Sequence, residues 1–132
     1  MRNVFWLILA LAVTANCAPA TLTILYTSPC NDSTAKFGDA DCVRCLEYDL
    51  RVATDSMQLI NNWSNCTRIA VGIPSAAGQD DSTKVLNHVK NAYRYYAIKA
   101  SNGVNWSPMS NVLSVLIETT PAKINARQRI TW

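Results

Sequence analysis

Residues 92–114, AYRYYAIKASNGVNWSPMSNVLS, contain two strand-like runs on either side of a polar turn. From 94 to 100 the side chains alternate between two faces, with the period of two that a half-buried strand shows. Asn102 and Gly103 tolerate the positive φ of a turn, and the alternation resumes at Leu113. This stretch therefore predicts a β-hairpin.

Four other segments carry strand signals: residues 21–27, 46–52, 67–71 and 83–87. In the second of these the alternation places Leu46, Tyr48 and Leu50 inward and Asp49 outward. The intervening segments are polar and rich in turn residues, and a helix at 56–62 would be short. Six strands spaced by turn signals predict an all-β sandwich.

Three segments in order resemble a fibronectin type III domain. Residues 95–112, Y-x-A-I-K-A-S-N-G-x-N-W-S-x-x-S-N-V, resemble its last two strands, and residues 48–52 (YDLRV) resemble its third. Residues 22–29, L-x-I-x-Y-T-x-P, resemble its second strand, with Tyr26 where the family usually has Trp. The resemblance covers residues 21–118 and is strongest to the version in bacterial secreted proteins and at the carboxyl end of calcium-activated chloride channel regulators.

This resemblance implies an immunoglobulin-like sandwich that lacks the family's first strand, because a chain that matures at Thr21 starts on the second. The family's corner tyrosine falls on Arg94. Members of this family often bind partners near the turn between the last two strands. Because Trp106 lies in that turn, the resemblance implies a partner contact there. The alternative is that Trp106 packs over the sheet edge in a cation–π contact with Arg94 or Lys99. We expect Trp63 to cover an end of the core, since a tryptophan buries the most area.

Residues 1–20 have the pattern of a secretory signal peptide. Arg2 precedes an apolar run, residues 4–15, that ends in small residues. At about 12 residues the run is well short of the ~20 that a membrane-spanning helix needs. The chain is therefore predicted to be cut after Ala20, or alternatively after Cys17, and secreted into the extracellular space without a membrane span.

Four cysteines remain after such a cut: Cys30, Cys42, Cys45 and Cys66. In an exported chain they predict disulfides, and we expect Cys30 to pair with Cys42 or Cys45. Cys45 and Cys66 begin two neighbouring antiparallel strands, so they should lie too far apart to be bridged. No metal site is predicted, because zinc would need a second close pair of ligands beside Cys42 and Cys45.

Four sequons for N-glycosylation begin at Asn31, Asn62, Asn65 and Asn105. All lie in or beside predicted loops, where a glycan can be accommodated. In a eukaryotic protein at least one should be occupied, although Asn62 and Asn65 are too close for both to be expected. In a bacterial protein the sequons would carry no meaning.

The sequence does not predict an enzyme or a cofactor. The single imidazole, His88, lies in a predicted connection with no evident nucleophile beside it, and no G-x-S-x-G pattern occurs. Asp80 and Asp81 lie in a hydrophilic turn, where solvation is the simpler explanation for paired carboxylates. A net charge of +3 is too mild for a nucleic-acid surface.

The predicted domain, residues 21–118, is followed by a basic tail, residues 119–132. Without a first strand, the edge of the strand at 21–27 would be open to pairing. Residues 123–132, KINARQRITW, alternate as a strand would. We hypothesise that this tail, from the same chain or a second one, covers the edge; the alternative is a disordered tail, with the open edge free for self-association.

The sequence thus predicts a secreted, non-catalytic binding or spacer module for a protein or cell-surface partner. An alternative is that it forms the C-terminal part of a larger secreted hydrolase or of a calcium-activated chloride channel regulator. A third is a small secreted effector that works by itself.

Overall fold

The computed structural model describes residues 20–32, 34–118 and 125–132. Apart from Ala20, the predicted signal peptide lies outside the described residues, as does Ser33 of the first sequon. The elements are, in chain order, β1 (Ala20–Thr27), β2 (Glu47–Ala53), α1 (Ser56–Asn61), a single 3₁₀ turn (Trp63–Asn65), β3 (Thr67–Ile69), β4 (Asp80–His88), β5 (Tyr93–Ser101), β6 (Leu113–Leu116) and β7 (Asn125–Arg129).

These strands form two sheets, with the orders β4-β1-β7 and β3-β2-β5-β6. β5 and β6 are the antiparallel hairpin predicted from residues 92–114, with Tyr93 opposite Leu116 and Tyr96 opposite Leu113. β2 pairs antiparallel with β3 on one side and with β5 on the other. The two sheets enclose one main core, so the predicted all-β, immunoglobulin-like sandwich is confirmed.

Alternating side chains of both sheets fill this core. Its largest fully buried members are Tyr26, Tyr48, Tyr96, Leu22, Ile24, Leu50, Ile98 and Ile130. The Tyr26 ring meets the Tyr48 ring edge-on, with centroids 5.0 Å apart. Their hydroxyls reach polar partners at the rim: Tyr26 bonds the Thr83 hydroxyl at 2.7 Å, and Tyr48 donates to Asp81 at 2.8 Å. The buried phenols are therefore satisfied, as burial of a tyrosine requires.

The C-terminal tail belongs to the sandwich. β7 lies parallel to β1, with Leu22 opposite Ala126 and Leu25 opposite Arg129. Beyond β7, the Ile130 N–H donates to the Leu25 carbonyl at 2.8 Å, and the Ile130 side chain is buried in the core. The hypothesis that the tail covers the open edge of the strand at 21–27, now β1, is confirmed, and the tail that does so belongs to the same chain.

Two residues of the strand predicted at 46–52 depart from the predicted alternation. Tyr48 and Leu50 are buried as expected, but Leu46 is 57 % exposed, because it precedes the strand and lies beside the turn at Gly103. Asp49, predicted to face solvent, is buried. Side chains that cover the outer face of its sheet exclude water from the Asp49 carboxylate.

That outer cover consists of α1 and the following 3₁₀ turn. The Asp55 side chain caps α1 by accepting a hydrogen bond from the Met57 N–H at 2.9 Å, and Leu59 is the helix residue that is buried. Leu59 packs with Ala53 and Ala97, and Trp63 lies against this second, smaller cluster. Trp63 thus covers the face of a sheet, whereas the sequence predicted that it would cover an end of the core.

β4 is longer than the sequence predicted, since it runs from Asp80 to His88 instead of from 83 to 87. The polar residues at its start belong to the strand because Asp80 pairs with Thr27 at the end of β1. His88, predicted to lie in a connection, is the buried last residue of this strand. Its Nδ1 lies 2.5 Å from the Tyr96 hydroxyl.

A loop-end cleft with two tryptophans

Several strands end or begin at one end of the sandwich, which we call the loop end. Thr27 at the end of β1 lies opposite Asp80 at the start of β4, and Glu47 at the start of β2 lies opposite Ser101 at the end of β5. The segments 28–46, 102–112 and 130–132 continue from these strand ends. The topology therefore brings three segments that are distant in sequence to one end of the molecule.

A disulfide holds the first of these segments. Cys30 and Cys42 are bonded, with their α-carbons 4.8 Å apart, as the sequence predicted for Cys30. Outside this bond, Cys30 forms a β-bridge with Arg44, and the Asn31 N–H donates to the Val43 carbonyl at 2.7 Å. Closing a loop of this length stabilises a fold by about 3 kcal/mol in the chain-entropy model. The disulfide and these backbone contacts therefore hold the segment in place, although its composition predicts only a polar loop.

The other two cysteine candidates carry free thiols. Cys45 is buried and donates weakly to the carbonyls of Pro29 and Cys30, at 3.7 and 3.6 Å. Burial raises the pKa of the Cys45 thiol, which disfavours the reactive thiolate. Cys66 lies just before Thr67, which pairs with Val52 at the far end of β2, so the prediction that Cys45 and Cys66 are not bridged is confirmed.

Side chains also shape the turn that follows β5. The Asn102 carboxamide oxygen accepts from the N–H groups of Val104 and Asn105, at 2.9 and 2.8 Å. Gly103 has a φ of +90°, a left-handed backbone conformation that favours glycine. The Asn102 amide in turn donates to the Asn31 carbonyl at 3.4 Å. This contact links the turn to the disulfide-held segment.

Two serines continue the pairing of β5 where Pro108 interrupts it. The Ser107 hydroxyl accepts from the Ala100 N–H at 3.0 Å, and the Ser110 hydroxyl accepts from the Ile98 N–H at 2.9 Å. Their own N–H groups donate to the carbonyls of the same two residues, at 2.7 and 3.0 Å. These bonds anchor the segment that follows Trp106, and Trp106 itself forms a β-bridge with Ser101.

The third segment brings a tryptophan from the tail. The Trp132 indole N–H donates to the Thr27 carbonyl at 2.7 Å, and Asn111 bonds Thr131 through both its backbone and its side chain. Arg129 makes a forked ion pair with Asp80, at 2.9 and 3.1 Å. Hydrogen bonds from Arg129 lower the pKa of the exposed Asp80 carboxyl to about 2. These contacts hold Trp132 at the loop end.

Between these segments lies a cavity of about 690 Å³. We call it the tryptophan cleft; its lining includes Trp106, Trp132, Asn31, Asn105, Asp32 and Asp41. Trp132 also lines a neighbouring cavity of about 510 Å³, where Phe37 and Lys36 contribute to the wall. Exposed fractions of 46 % for Trp106, 40 % for Trp132 and 59 % for Phe37 leave much of each ring open to a ligand.

Of the tryptophans at the loop end, the sequence pointed to Trp106 and missed Trp132. The predicted alternative for Trp106, a cation–π contact with Arg94 or Lys99, is not what the structure contains: the Lys99 ammonium lies over the Trp63 ring, 4.5 Å from its centroid. Trp132 was missed because its position depends on the pairing of β7 with β1. No local pattern in the tail specifies that partner.

The four glycosylation candidates lie in two places. Asn31 and Asn105 line the tryptophan cleft. Asn62 and Asn65 are exposed at the 3₁₀ turn, where the Asn65 amide donates to the Asn62 side chain at 2.7 Å. The two side chains are therefore in direct contact, which agrees with the expectation that they are too close for both to be glycosylated.

Two findings concern other kinds of site. Among residues 20–32, 34–118 and 125–132, no three His, Cys, Asp or Glu side chains are grouped so as to hold a metal ion. In the same residues no helix has the length and apolar character needed to cross a membrane.

Comparisons of the chain with protein-family models, with curated proteins and with solved structures found no match.

Proposed function

We propose that this chain is a secreted, non-catalytic binding module of fibronectin type III type, and that it contacts its partner through the tryptophan cleft. One observation carries the proposal: Trp106 and Trp132, from separate segments, both expose their rings in one concave site. Tryptophan is enriched where proteins bind partners, because its ring offers a large rigid surface with little entropy to lose.

Topology supports the family assignment. The two sheets, β4-β1-β7 and β3-β2-β5-β6, form the kind of two-sheet sandwich that the sequence resemblance implied. β7 pairs with the edge of β1 that the resemblance led us to expect to be open. A structural disulfide supports an oxidising, extracellular location.

A role in binding also fits the state of the single histidine. His88 is buried at the end of the sandwich opposite the tryptophan cleft, and its Nδ1 is engaged with Tyr96. It cannot serve as a general base for a ligand in the cleft, because a base must reach the proton that it removes.

We further propose that a glycan, where the host attaches one, is carried on Asn62 or Asn65. Both are exposed on the 3₁₀ turn and lie outside the residues that line the cleft. The intact mass of secreted chain, before and after glycosidase treatment, would measure this together with the signal cleavage site. Loss of glycan from Asn62→Gln or Asn65→Gln, and not from Asn105→Gln, is the expected result.

Binding of the secreted chain to extracellular-matrix and cell-surface preparations tests the proposed function. The Trp106→Ala variant should lose at least tenfold in affinity, because it removes a ring from the contact. Ile73→Ala is the matched control, since Ile73 is an apolar side chain even more exposed than Trp106 but lies outside the cleft. Equal binding by wild type and Trp106→Ala would contradict the proposal.

A further inference from the structure

We propose that the tryptophan cleft binds a short, neutral oligosaccharide, an inference that rests on the proposed binding function. The rings of Trp106 and Trp132 supply flat apolar surfaces on separate walls. A pyranose ring has an apolar face of C–H groups and a rim of hydroxyls, so it can stack on an indole while its rim remains free for hydrogen bonds. The cleft's volume of about 690 Å³ lies within the ~300–1,000 Å³ typical of small-molecule sites.

Polar groups in the cleft match the hydroxyl rim of a sugar. Within the part of the chain that the structure describes, the side chains of Asn31, Asn105 and Asp41 make no hydrogen bond. A carboxamide offers both a donor and an acceptor, and a carboxylate accepts from two hydroxyls. Neighbouring hydroxyls of a sugar both donate and accept, so they can satisfy these groups directly.

The charge of the cleft lining favours a neutral ligand over an anionic one. Among the residues that the structure describes, the charged side chains in the cleft lining are those of Asp32 and Asp41, with no Lys or Arg beside them. Hydrogen bonds from Thr34 lower the pKa of the Asp32 carboxyl, which keeps it ionised. A sulfated or sialylated sugar would therefore meet like charge, whereas a neutral sugar would not.

The walls of the cleft are fixed before any ligand arrives. The Cys30–Cys42 disulfide holds one wall, the paired serines around Pro108 hold the second, and the Trp132 indole is bonded to Thr27. Preorganisation of this kind reduces the entropy that binding must cost. It suits a small ligand, which has few contacts to offset such a cost.

Calorimetric titration tests the inference, with the full secreted chain made in a host that does not N-glycosylate, so that Asn31 and Asn105 are unmodified. The probes are neutral trisaccharides of glucose, galactose, mannose and N-acetylglucosamine, with sialyllactose and a sulfated trisaccharide as anionic counterparts. We expect at least one neutral trisaccharide to bind with a Kd below about 1 mM, and both anionic probes to bind at least tenfold more weakly.

Variants locate the binding and separate the two proposals. Trp106→Ala should weaken the neutral trisaccharide at least tenfold, Trp106→Phe should recover part of the loss, and Ile73→Ala should change nothing. Absence of neutral binding up to about 10 mM, tighter anionic binding, or equal affinity in Trp106→Ala would overturn the saccharide inference. If Trp106→Ala still abolishes binding to matrix preparations while no sugar binds, the binding function stands and the occupant is a protein surface.

Discussion

Asp49 has an unusual position for a carboxylate, because its sheet face is covered. The single Nε–H of Arg51 is shared between the two carboxylate oxygens of Asp49, at 2.9 and 3.1 Å, and the Trp63 indole N–H donates to the same carboxylate at 3.1 Å. The Arg68 Nε lies 3.4 Å away. Arg51 and Lys99 in turn stack on the Trp63 ring. Asp49 thus organises the charges that join the outer cover to the sheet.

Removal of this carboxylate should be costly. Asp49→Ala leaves the largely buried Arg51 without its carboxylate partner and the Trp63 indole N–H without its acceptor, so we expect a loss of about 2–4 kcal/mol in the free energy of unfolding. Glu47→Ala, at an exposed position of the same strand, should change it by less than about 0.5 kcal/mol. Urea unfolding of the two variants measures the difference, and a silent Asp49→Ala would show that the outer cover does not depend on this cluster.

His88 makes the stability of the fold depend on pH. Burial, with a smaller contribution from the charge of Arg94, lowers the His88 pKa below 6.5, and its Nε2 has no hydrogen-bond partner within the described residues. The unfolded chain therefore binds a proton more readily than the folded chain. The stabilisation is complete above the unfolded pKa of about 6.5 and is lost as pH falls from there toward the folded pKa.

Unfolding in urea at pH 7.5, 6.5 and 5.5 measures this dependence. Wild type should lose stability across the series, by at most ~1.4 kcal/mol per pH unit, because one proton is involved. His88→Gln should show a flatter dependence over the same range. Equal slopes in the two proteins would mean that another group controls the acid sensitivity.

At the scale of elements, sequence patterning predicts strands well where burial is one-sided. β1 follows the expected alternation, because one of its faces meets the main core. Asp49 breaks it, because α1 and Trp63 cover the opposite face of the sheet. That cover depends on contacts between separate elements, and a period of two within one strand carries no information about it.

β7 is an edge strand of the three-stranded sheet, paired with β1 at its centre. Its residues were predicted as a strand from their alternation, but their parallel pairing with β1 comes from Ile130 entering the core and Arg129 meeting Asp80. Most of the loop-end site was beyond prediction for the same reason, since Trp132 reaches the cleft only when β7 is paired. Trp106 could be inferred because its turn follows directly from the hairpin.

Ile130 provides the test of this element. Ile130→Ala removes a fully buried side chain and should cost about 2–5 kcal/mol. Gln128→Ala, two residues away on the exposed surface of β7, should cost less than about 0.5 kcal/mol. Thermal melts with light scattering should also show aggregation in Ile130→Ala, because a released β7 exposes the edge of β1. Equal melting temperatures would contradict docking of the tail.

At the scale of the whole molecule, the loop end and the outer face of the four-stranded sheet differ in what they present. The loop end gathers a disulfide, a fixed turn and the tail around two open tryptophan rings. On the outer face of the four-stranded sheet, Trp63 lies instead under two cations and bonded to Asp49. Two of the three tryptophans in the described residues are thus available for binding, and the third is structural.

The indole N–H signals of these three tryptophans in a ¹⁵N-labelled chain test the central claim most directly. On addition of the neutral trisaccharide that binds, or of a partner isolated from matrix, the signals of Trp106 and Trp132 should move together with one binding curve. The Trp63 signal should stay in place, because its N–H donates to Asp49 beneath the outer cover. A shift confined to Trp63, or saturable binding that moves neither Trp106 nor Trp132, would contradict the account.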